Sequence, residues 1–401
     1  MHAKTRTSLL PPEHARGDGH ARLTLRDRQH RRGASMTAPH RDRSRSIRIH
    51  VHLRGADVAL SEQMGPAEIW YFIRHTDLPD PSTLPAWFIH VNVFSAMWRI
   101  FTTGARSIEI PEPLWARFLP KALILMVSAR VARLVTGRPA RTVFYALENN
   151  MPADALFGSS PVPRVVKKSF IWLLGTIVTP LVDRVAFGSD GARRAYEHMG
   201  SLRLPSTRVF TELPARTSWS NEEESPRVHG QNTLFVGGLE HRKGIPVLLD
   251  AWTKVEAELP TATITIIGSG PLRPVVEDWV RRSPDRRRYL GQVPHEELAL
   301  FYEAADVLIA PSVRDGRWRE QIGLQLREAL AAGVTIVASD ETGLADWLRE
   351  HGHTVVPTAE LAEALGTHVV SAMGQLLPRA AVRESLPTVD GRVAADSWLH
   401  E

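Results

Sequence analysis

The strongest constraint on this sequence is an alternation of short apolar strand patterns with longer helical patterns, which runs through the chain twice. The first run extends from the alternating segment Ser46–Leu53 to the apolar segment Arg184–Phe187. The second run begins at Thr233–Val236 and is still visible at Thr335–Ala338. Strands that are separated by helices form parallel sheets, because the chain needs a crossover to return to the same end of the sheet. The sequence therefore predicts an α/β fold with two doubly wound, Rossmann-like parallel-sheet domains that face each other across a cleft.

A polar stretch separates the two runs. Residues 214–231 include Asn221-Glu-Glu-Glu-Ser-Pro226 and show no helical or strand periodicity, which is typical of an interdomain linker. At 401 residues the chain is long enough for two apolar cores. We therefore predict an amino-terminal domain over residues 46–213, a carboxyl-terminal domain over residues 232–370, and a tail over residues 371–401 that could cross back to the first domain.

The excess of positive charge lies at the beginning of the chain. Residues 1–35 contain eight Lys or Arg and three Asp or Glu, which gives a net charge of +5. The whole chain contains 49 Lys or Arg and 44 Asp or Glu and therefore has the same net charge. We expect residues 1–45 to be a disordered basic leader, with Met36 as an alternative start. An arm that binds RNA or anionic lipid is the other interpretation. Because the remaining residues sum to zero charge, we expect no nucleic-acid partner.

Composition excludes several kinds of site. The chain has no cysteine, so disulfides, thiolate metal sites and cysteine nucleophiles are ruled out. Its 17 histidines form no HExxH or similarly spaced pair, and we predict no metal site. No uncharged apolar run is long enough to span a membrane. These features fit a cytoplasmic protein whose chemistry uses carboxylates, cations and backbone amides.

Two glycine-rich turns follow strands of the second domain. In the segment Phe235–Gly244, two adjacent glycines allow close approach to the backbone, and two cations precede a helix. Such a combination can bind a diphosphate. The residues concerned are Gly237, Gly238, Arg242 and Lys243. The segment Ile267-Gly-Ser-Gly-Pro-Leu272 could shape the floor of the same cleft, although ordinary tight turns are the alternative for both segments.

A pair of glutamates is the most informative feature. Glu320 lies just before a helix predicted over residues 321–332, and Glu328 lies about two turns inside it. The two are about 12 Å apart along the axis and about 80° apart around it, so both can contact one extended ligand. Carboxylates accept hydrogen bonds from vicinal hydroxyls, and the free amides at the helix start can face phosphates. These amides are those of Ile322, Gly323 and Leu324. The alternative is one Glu that complements the helix dipole and one on the surface.

The order of the motifs identifies a family. Along about 140 residues of the carboxyl half they closely resemble glycosyltransferase family 4, whose members are retaining enzymes with the two-domain GT-B fold. The motifs are Val236-Gly-Gly-Leu-x-x-x-Lys243-Gly, Ile267-Gly-Ser-Gly-Pro, Gly291-Gln-Val-Pro, Ala305-Asp-Val-x-x-x-Pro311-Ser, Glu320-x7-Glu328-Ala and Ala332-Gly-Val.

The resemblance implies a role for each matching residue. Glu328 would bind the ribose hydroxyls of a nucleoside diphosphate sugar, and Glu320 would hold hydroxyls of the transferred sugar. Lys243 would neutralise the diphosphate, and main-chain groups near Val293 would meet the base. The family usually has Arg directly after the first glycine of the first motif, where this chain has Gly238. Arg242 could supply that charge from one turn away.

The amino half offers fewer candidates. The predicted strand over residues 142–147 is followed by Glu148 and Asn149, and the strand Arg184–Phe187 is followed by Ser189. These polar groups would lie on the acceptor side of the cleft, because ligands bind at the carboxyl ends of parallel strands. Ordinary strand caps are the alternative for all three residues.

Two stretches of the amino half combine apolar and basic residues. They run from Trp115 to Arg133 and from Phe170 to Val182, the second preceded by Lys167 and Lys168. They could lie on an anionic membrane surface or pack against the sheet as crossover helices. The apolar residues of the second stretch do not segregate to one face, so we expect burial and do not favour membrane association.

The resemblance predicts a retaining glycosyltransferase that moves a hexose-type sugar from a nucleoside diphosphate sugar to a hydroxyl acceptor. The acceptor would be a carbohydrate or lipid-linked molecule in polysaccharide, glycolipid or glycoconjugate synthesis. The enzyme would use no metal and no cofactor, and would be cytoplasmic or peripheral at the inner face of the membrane. The alternatives are a nucleotide-sugar epimerase with the same fold, or a non-catalytic nucleotide-sugar-binding or scaffold protein.

Overall fold

The computed structural model describes residues 45–75, 78, 84–216 and 231–401. The predicted basic leader, apart from residue 45, and residues 217–230 of the predicted linker lie outside the described residues.

The first half forms a seven-stranded parallel sheet in the order β3-β2-β1-β4-β5-β6-β7. Its strands β1 to β7 are Ser46–Leu53, Glu68–Arg74, Phe88–His90, Ser107–Glu109, Arg141–Ala146, Arg184–Phe187 and Thr207–Val209. Its helices α1 to α6 are Gly55–Ser61, Val93–Thr102, Leu119–Thr136, Pro152–Phe157, Arg164–Val178 and Asp190–Glu197.

The second half forms a six-stranded parallel sheet in the order β10-β9-β8-β11-β12-β13. Its strands β8 to β13 are Asn232–Val236, Thr263–Ile267, Arg287–Tyr289, Val307–Ala310, Thr335–Ser339 and Thr354–Val356. Helices α7 to α14 are Ile245–Glu258, Arg273–Arg281, Leu298–Ala304, Leu324–Ala331, Ala345–Glu350, Leu361–Gly374, Arg379–Glu384 and Gly391–His400. Each sheet has its own apolar core, so the predicted pair of doubly wound α/β halves is confirmed.

The third helix begins after a loop. The predicted apolar and basic stretch starts at Trp115, whereas α3 starts at Leu119. The Leu114 amide donates instead to the Tyr196 hydroxyl at 3.4 Å, which ties the preceding loop to α6. Pro120 then occupies the first turn of α3, where its missing N–H costs no hydrogen bond.

The last helix, α14, returns to the first sheet and is anchored there by buried ion pairs. The Arg48 guanidinium on β1 binds the Asp396 carboxylate through two contacts, at 2.5 and 2.7 Å, and both side chains are 2% exposed. Arg392 binds Glu109 on β4 at 2.6 Å. Burial alone would raise the pKa of Glu109, but Arg392, His400 and Arg48 together outweigh burial and hold that pKa well below its usual range. Charge compensation therefore fixes α14 on the sheet.

The same polar network continues into the second half of the molecule. Arg392 stacks on the Tyr145 ring, and the Tyr145 hydroxyl donates to Glu212 at 3.0 Å. Arg327 on α10 binds Glu212 at 3.0 Å and Asp390 at 2.5 Å. The last segment of the chain therefore links β4 and β5 of the first sheet to α10.

The prediction that the apolar residues of the two apolar and basic stretches are buried is wrong for much of α3 and α5. Each helix packs one side on the sheet and exposes large apolar side chains on the other, and α2 does the same. We call these side chains the outer apolar face. They are Phe94 and Trp98 of α2, Ile124, Val127, Val131, Leu134 and Val135 of α3, and Val165, Val166, Phe170, Trp172, Leu173 and Ile177 of α5.

Crossing a bilayer requires more length and apolar character than any helix within the described residues possesses.

We predict that Asp396→Ala lowers the free energy of unfolding by about 3–5 kcal/mol, because it leaves the buried Arg48 guanidinium without its carboxylate. Denaturant unfolding of the full chain measures this change. As a control, Glu258→Ala removes a half-exposed partner of Lys254 and should change stability by less than about 1 kcal/mol. Similar losses in the two variants would contradict the assigned role of the buried pair.

Candidate active site

The candidate site lies where the carboxyl ends of the two sheets meet. The Asn149 amide, after β5, donates to Gln321 Oε1 at 3.0 Å, and Asn149 Nδ2 donates to the Glu320 carbonyl at 2.9 Å. Gln321 Nε2 in turn donates to Glu148 Oε1 at 3.1 Å. The acceptor-side candidates Glu148 and Asn149 are therefore in contact with the loop that carries Glu320.

Lys243 and Glu320 form an ion pair although they are 77 positions apart. Lys243 belongs to the 3-10 turn His241–Lys243 before α7, and Glu320 lies in the loop before α10. Ser312, after β11, donates its hydroxyl to Glu320 at 3.3 Å. Both side chains of the ion pair are largely buried, at 14% and 13% exposure. The fold thus joins the ends of β8 and β11 in one polar cluster.

Trp318 lies beneath the two cations of the first motif. Its ring centroid is 4.4 Å from the Arg242 guanidinium and 5.1 Å from Lys243 Nζ, which are distances typical of cation–π contacts. Arg242 also binds both oxygens of Glu240, at 2.6 and 2.8 Å. The aromatic ring and Glu240 therefore fix the direction of the Arg242 guanidinium.

The geometry explains how the chain accommodates Gly238 in place of the family's usual Arg. A Cβ atom at Gly238 would lie 2.8 Å from Glu240 Oε1. Glu240 therefore occupies the space beside this glycine and holds Arg242 next to it. The positive charge expected from the family is present close by, but a carboxylate partly compensates it.

The two glycine turns pack backbone against backbone. Gly268 has a φ of 141°, and a Cβ atom there would lie 1.9 Å from the Gly237 carbonyl oxygen. A side chain cannot be placed at such a distance, so only glycine allows the ends of β8 and β9 to approach this closely. The two turns therefore pack directly on each other at the carboxyl ends of β8 and β9.

The helix with the second glutamate is shorter than predicted. It was expected over residues 321–332, but α10 extends over Leu324–Ala331. Gly323 precedes it with a φ of 90°, and Ile322 uses its carbonyl to accept from the Thr342 hydroxyl at 2.8 Å. Ile322 is buried and Leu324 is half-exposed. The helix amino terminus, with its free amides, is thus at Gly323 and Leu324.

Glu328 lies in the second turn of α10 and is fixed by two aromatic residues. The Tyr302 hydroxyl donates to Glu328 Oε2 at 2.7 Å, and His295 Nδ1 lies 3.5 Å from Oε1. Burial and the neighbouring Glu328 carboxylate raise the pKa of Tyr302 well above its usual value, so its hydroxyl stays protonated. Val293, the predicted neighbour of a base, packs on the apolar cluster that contains Tyr302 and Ile322.

Ser189 has a structural role in the described contacts. Its buried hydroxyl accepts a hydrogen bond from the Ala192 amide at 3.0 Å and so caps the amino terminus of α6. A Cβ atom on Gly343 would lie 3.1 Å from this hydroxyl, so Ser189 also borders the second domain. Capping alone accounts for a serine at this position.

Glu112 is a neighbour of the candidate site that the sequence motifs do not reveal. It accepts hydrogen bonds from the Leu147 and Glu148 amides, both at 3.1 Å, and from the Tyr196 hydroxyl at 2.9 Å. Burial, and to a lesser extent the nearby Glu148 carboxylate, raises the pKa of Glu112 to about 8. A neutral carboxyl group therefore supports the loop that carries Glu148.

Comparison with known proteins relates this geometry to a family. Residues 230–374 match the family model described as Glycosyl transferases group 1. A phosphatidyl-myo-inositol mannosyltransferase of Mycobacterium tuberculosis is 32% identical over 213 residues, which cover 51% of this chain and 53% of that protein. A glycogen synthase of the same species is 32% identical over 130 residues, or 32% of this chain and 30% of that protein. The chain thus spans about half the length, or less, of these curated relatives.

Solved structures resemble the chain over most of its length. The lipopolysaccharide outer core galactosyltransferase WaaB in its apo form has a TM-score of 0.60 at 13% identity, covering 88% of this chain and 98% of that chain. Anabaena Alr3699/HepE in complex with UDP has a TM-score of 0.54 at 13% identity, covering 85% and 97%. At such low identity this similarity establishes the fold, which is GT-B.

The GT-B fold and the match of residues 230–374 to the group 1 model both agree with the class predicted from the sequence, a GT-B glycosyltransferase. The resemblance to glycosyltransferase family 4 that the sequence predicts is confirmed over residues 230–374, which match this model.

We predict that Glu112→Gln reduces the loss of stability that accompanies rising pH. With a pKa of about 8 in the folded state and an ordinary value of 4.5, Glu112 binds one more proton in the folded chain between these values. The free energy of unfolding then falls as the pH rises through this window, whereas glutamine, a neutral mimic, does not titrate. Denaturant unfolding at about pH 5 and about pH 8 measures the difference between variant and wild type.

The variant Glu363→Gln changes an exposed carboxylate and serves as the control. Its free energy of unfolding should equal that of the wild type at both pH values. A Glu112→Gln variant whose stability relative to the wild type is the same at both values would show that Glu112 is ionised in the folded chain.

Proposed function

We propose that this protein is a retaining glycosyltransferase that transfers a hexose-type sugar from a nucleoside diphosphate sugar to a hydroxyl acceptor without a metal ion. The observation that carries the proposal is the cluster of Lys243, Glu320 and Ser312 beside the start of α10. This cluster lies at the carboxyl ends of parallel strands, where ligands of such sheets bind. It combines a cation for a diphosphate with a carboxylate for sugar hydroxyls.

The donor would extend from this cluster along α10. Its ribose hydroxyls would bind Glu328, which the Tyr302 hydroxyl holds at 2.7 Å. Its base would contact main-chain groups near Val293. The diphosphate would lie between Lys243 and the free amides at the start of α10, where the helix dipole favours negative charge.

Catalysis would depend on charge that develops during the reaction. The bond between the anomeric carbon and the diphosphate breaks, a bond to the acceptor oxygen forms, and the proton of the acceptor hydroxyl passes to the departing diphosphate. Lys243, with Arg242 on the same Trp318 ring, would stabilise the negative charge of the departing diphosphate. Glu320 would orient the sugar through its hydroxyls.

The acceptor would approach from the first domain. Glu148 and Asn149 stand opposite the Glu320 loop, and their carboxylate and amide can orient an acceptor hydroxyl. The hexose-type donor is supported by the relative whose name describes a mannosyltransferase. The acceptor would be a carbohydrate or a lipid-linked molecule that offers a hydroxyl group to this cleft.

Product analysis tests the proposal against its competitors. Incubation with a panel of nucleotide sugars and hydroxyl acceptors should yield free nucleoside diphosphate and a glycoside with the donor's anomeric configuration. An epimerised nucleotide sugar without transfer would indicate an epimerase, and donor binding without turnover would indicate a binding protein.

We predict that Glu328→Ala weakens binding of the nucleoside diphosphate by about 1.5–3 kcal/mol, as expected for hydrogen bonds to a charged group. Calorimetric titration with the nucleoside diphosphate of the preferred donor measures this loss. The control Glu363→Ala changes an exposed carboxylate on α12 and should leave affinity unchanged. Equal affinity of Glu328→Ala and wild type would overturn the ribose assignment.

We predict that Lys243→Ala lowers turnover more than it weakens donor binding, because its charge is needed most when the diphosphate departs. Steady-state kinetics and a separate donor titration give the two numbers. Lys254→Ala, which removes a half-exposed cation from α7, should change neither. If turnover and binding fall by the same factor, Lys243 only anchors the donor.

A further inference from the structure

The outer apolar face is unusual in extent. Thirteen of the twenty large apolar side chains that are exposed in the described chain belong to α2, α3 and α5. On α3 they recur at three- and four-residue spacing, as do Val166, Phe170, Leu173 and Ile177 on α5. This spacing places them in stripes along the two helices. Trp98, at 72% exposure, and Trp172, at 59%, are the largest of these side chains.

The three helices form one layer. They connect β3, β4, β5 and β6, and three of these strands, β4, β5 and β6, are neighbours in the sheet. Right-handed crossovers in the same direction place their helices on the same face of a sheet. In agreement, α2 packs against α3, and α3 packs against the 3-10 turn that ends α5. The stripes therefore lie side by side on one side of the first domain.

The charge of these helices has a single sign. Their sequences contain no Asp or Glu and seven Lys or Arg. The cations are Arg99 of α2, Lys121, Arg130 and Arg133 of α3, and Arg164, Lys167 and Lys168 of α5. Arg133 is paired with Asp183 outside the helices. A broad apolar surface interspersed with cations is therefore present on a domain whose other helices carry acidic residues.

We propose that the outer apolar face docks on the surface of an anionic lipid bilayer, with the apolar side chains among the acyl chains and the cations at the headgroups. The alternative of a second copy of this chain is less favourable, because a symmetric pair would bring two faces of the same charge together. The basic residues of the first 35 positions have that same sign. Only an anionic partner complements both properties of the face.

Docking would place the candidate site at the bilayer. Phe94 lies in the first turn of α2, and Val165 and Val166 lie in the first turn of α5. Because each of these helices follows a strand of a parallel sheet, its first turn lies toward the carboxyl edge that bears Glu148 and Asn149. The acceptor class that fits this arrangement is a lipid-linked one. This last consequence rests on the proposed function, whereas docking itself does not.

Sedimentation with vesicles in the absence of donor tests the docking. We expect the full-length protein to pellet with phosphatidylglycerol and phosphatidylcholine vesicles at about 0.15 M salt, where charges are screened beyond about 8 Å. We expect at least about tenfold weaker binding to phosphatidylcholine alone. The triple variant Phe94→Ser, Trp98→Ser, Trp172→Ser should bind the anionic vesicles at least about tenfold more weakly than wild type.

Two controls keep the test decisive. The double variant Val275→Ser, Leu300→Ser removes exposed apolar residues of the second domain and should bind like wild type. The double variant Arg164→Gln, Lys168→Gln leaves the apolar residues in place and should weaken binding to the anionic vesicles alone. Circular dichroism establishes that each variant is folded.

Three results would overturn the proposal. They are a wild-type protein that stays in the supernatant, a folded triple variant that pellets like wild type, and self-association that the triple variant abolishes without any vesicle binding. Because no donor is used, failure of docking leaves the nucleotide-binding tests unaffected. Failure of those tests would likewise leave docking intact.

Discussion

The hydrogen bonds between the end of β5 and the loop before α10 determine the geometry of the candidate site. Through them, Asn149 and Glu148 of the first domain hold the backbone of Glu320 and the side chain of Gln321. The Glu320 carboxylate points in turn to Lys243 of the second domain. A change in the relation of the two sheets would therefore move the central carboxylate, and the buried network around Arg327 adds a second link to α10.

Sequence patterns predict what depends on near neighbours in the chain. The strands Ser46–Leu53 and Arg184–Phe187 have the predicted bounds, because local apolar patterns define them. Trp318 and Tyr302 were missed because their roles arise from contacts 76 and 26 positions away. The sequence could have revealed Glu112 as a candidate, since it follows β4 as Glu148 follows β5. The amino limit of α10 was misplaced because tertiary contacts of Ile322 replace a helical turn.

The outer apolar face illustrates a different limit. Helix α5 has buried residues such as Ile171 and Leu174 and exposed ones such as Phe170 and Leu173, so it is apolar on nearly all sides. Periodicity reveals that such a helix has no single apolar face, but it does not tell which side the sheet covers. A helix of this kind that packs on a sheet by one side leaves the other side for a different partner. The absence of acidic residues in α2, α3 and α5 is then the informative feature.

A crystal structure of the protein with the nucleoside diphosphate of its preferred donor tests the proposed donor site most directly. We expect ribose hydroxyls within hydrogen-bond distance of Glu328 and the diphosphate between Lys243 and the first amides of α10. A nucleotide bound elsewhere, or bound here with its ribose away from Glu328, would contradict it.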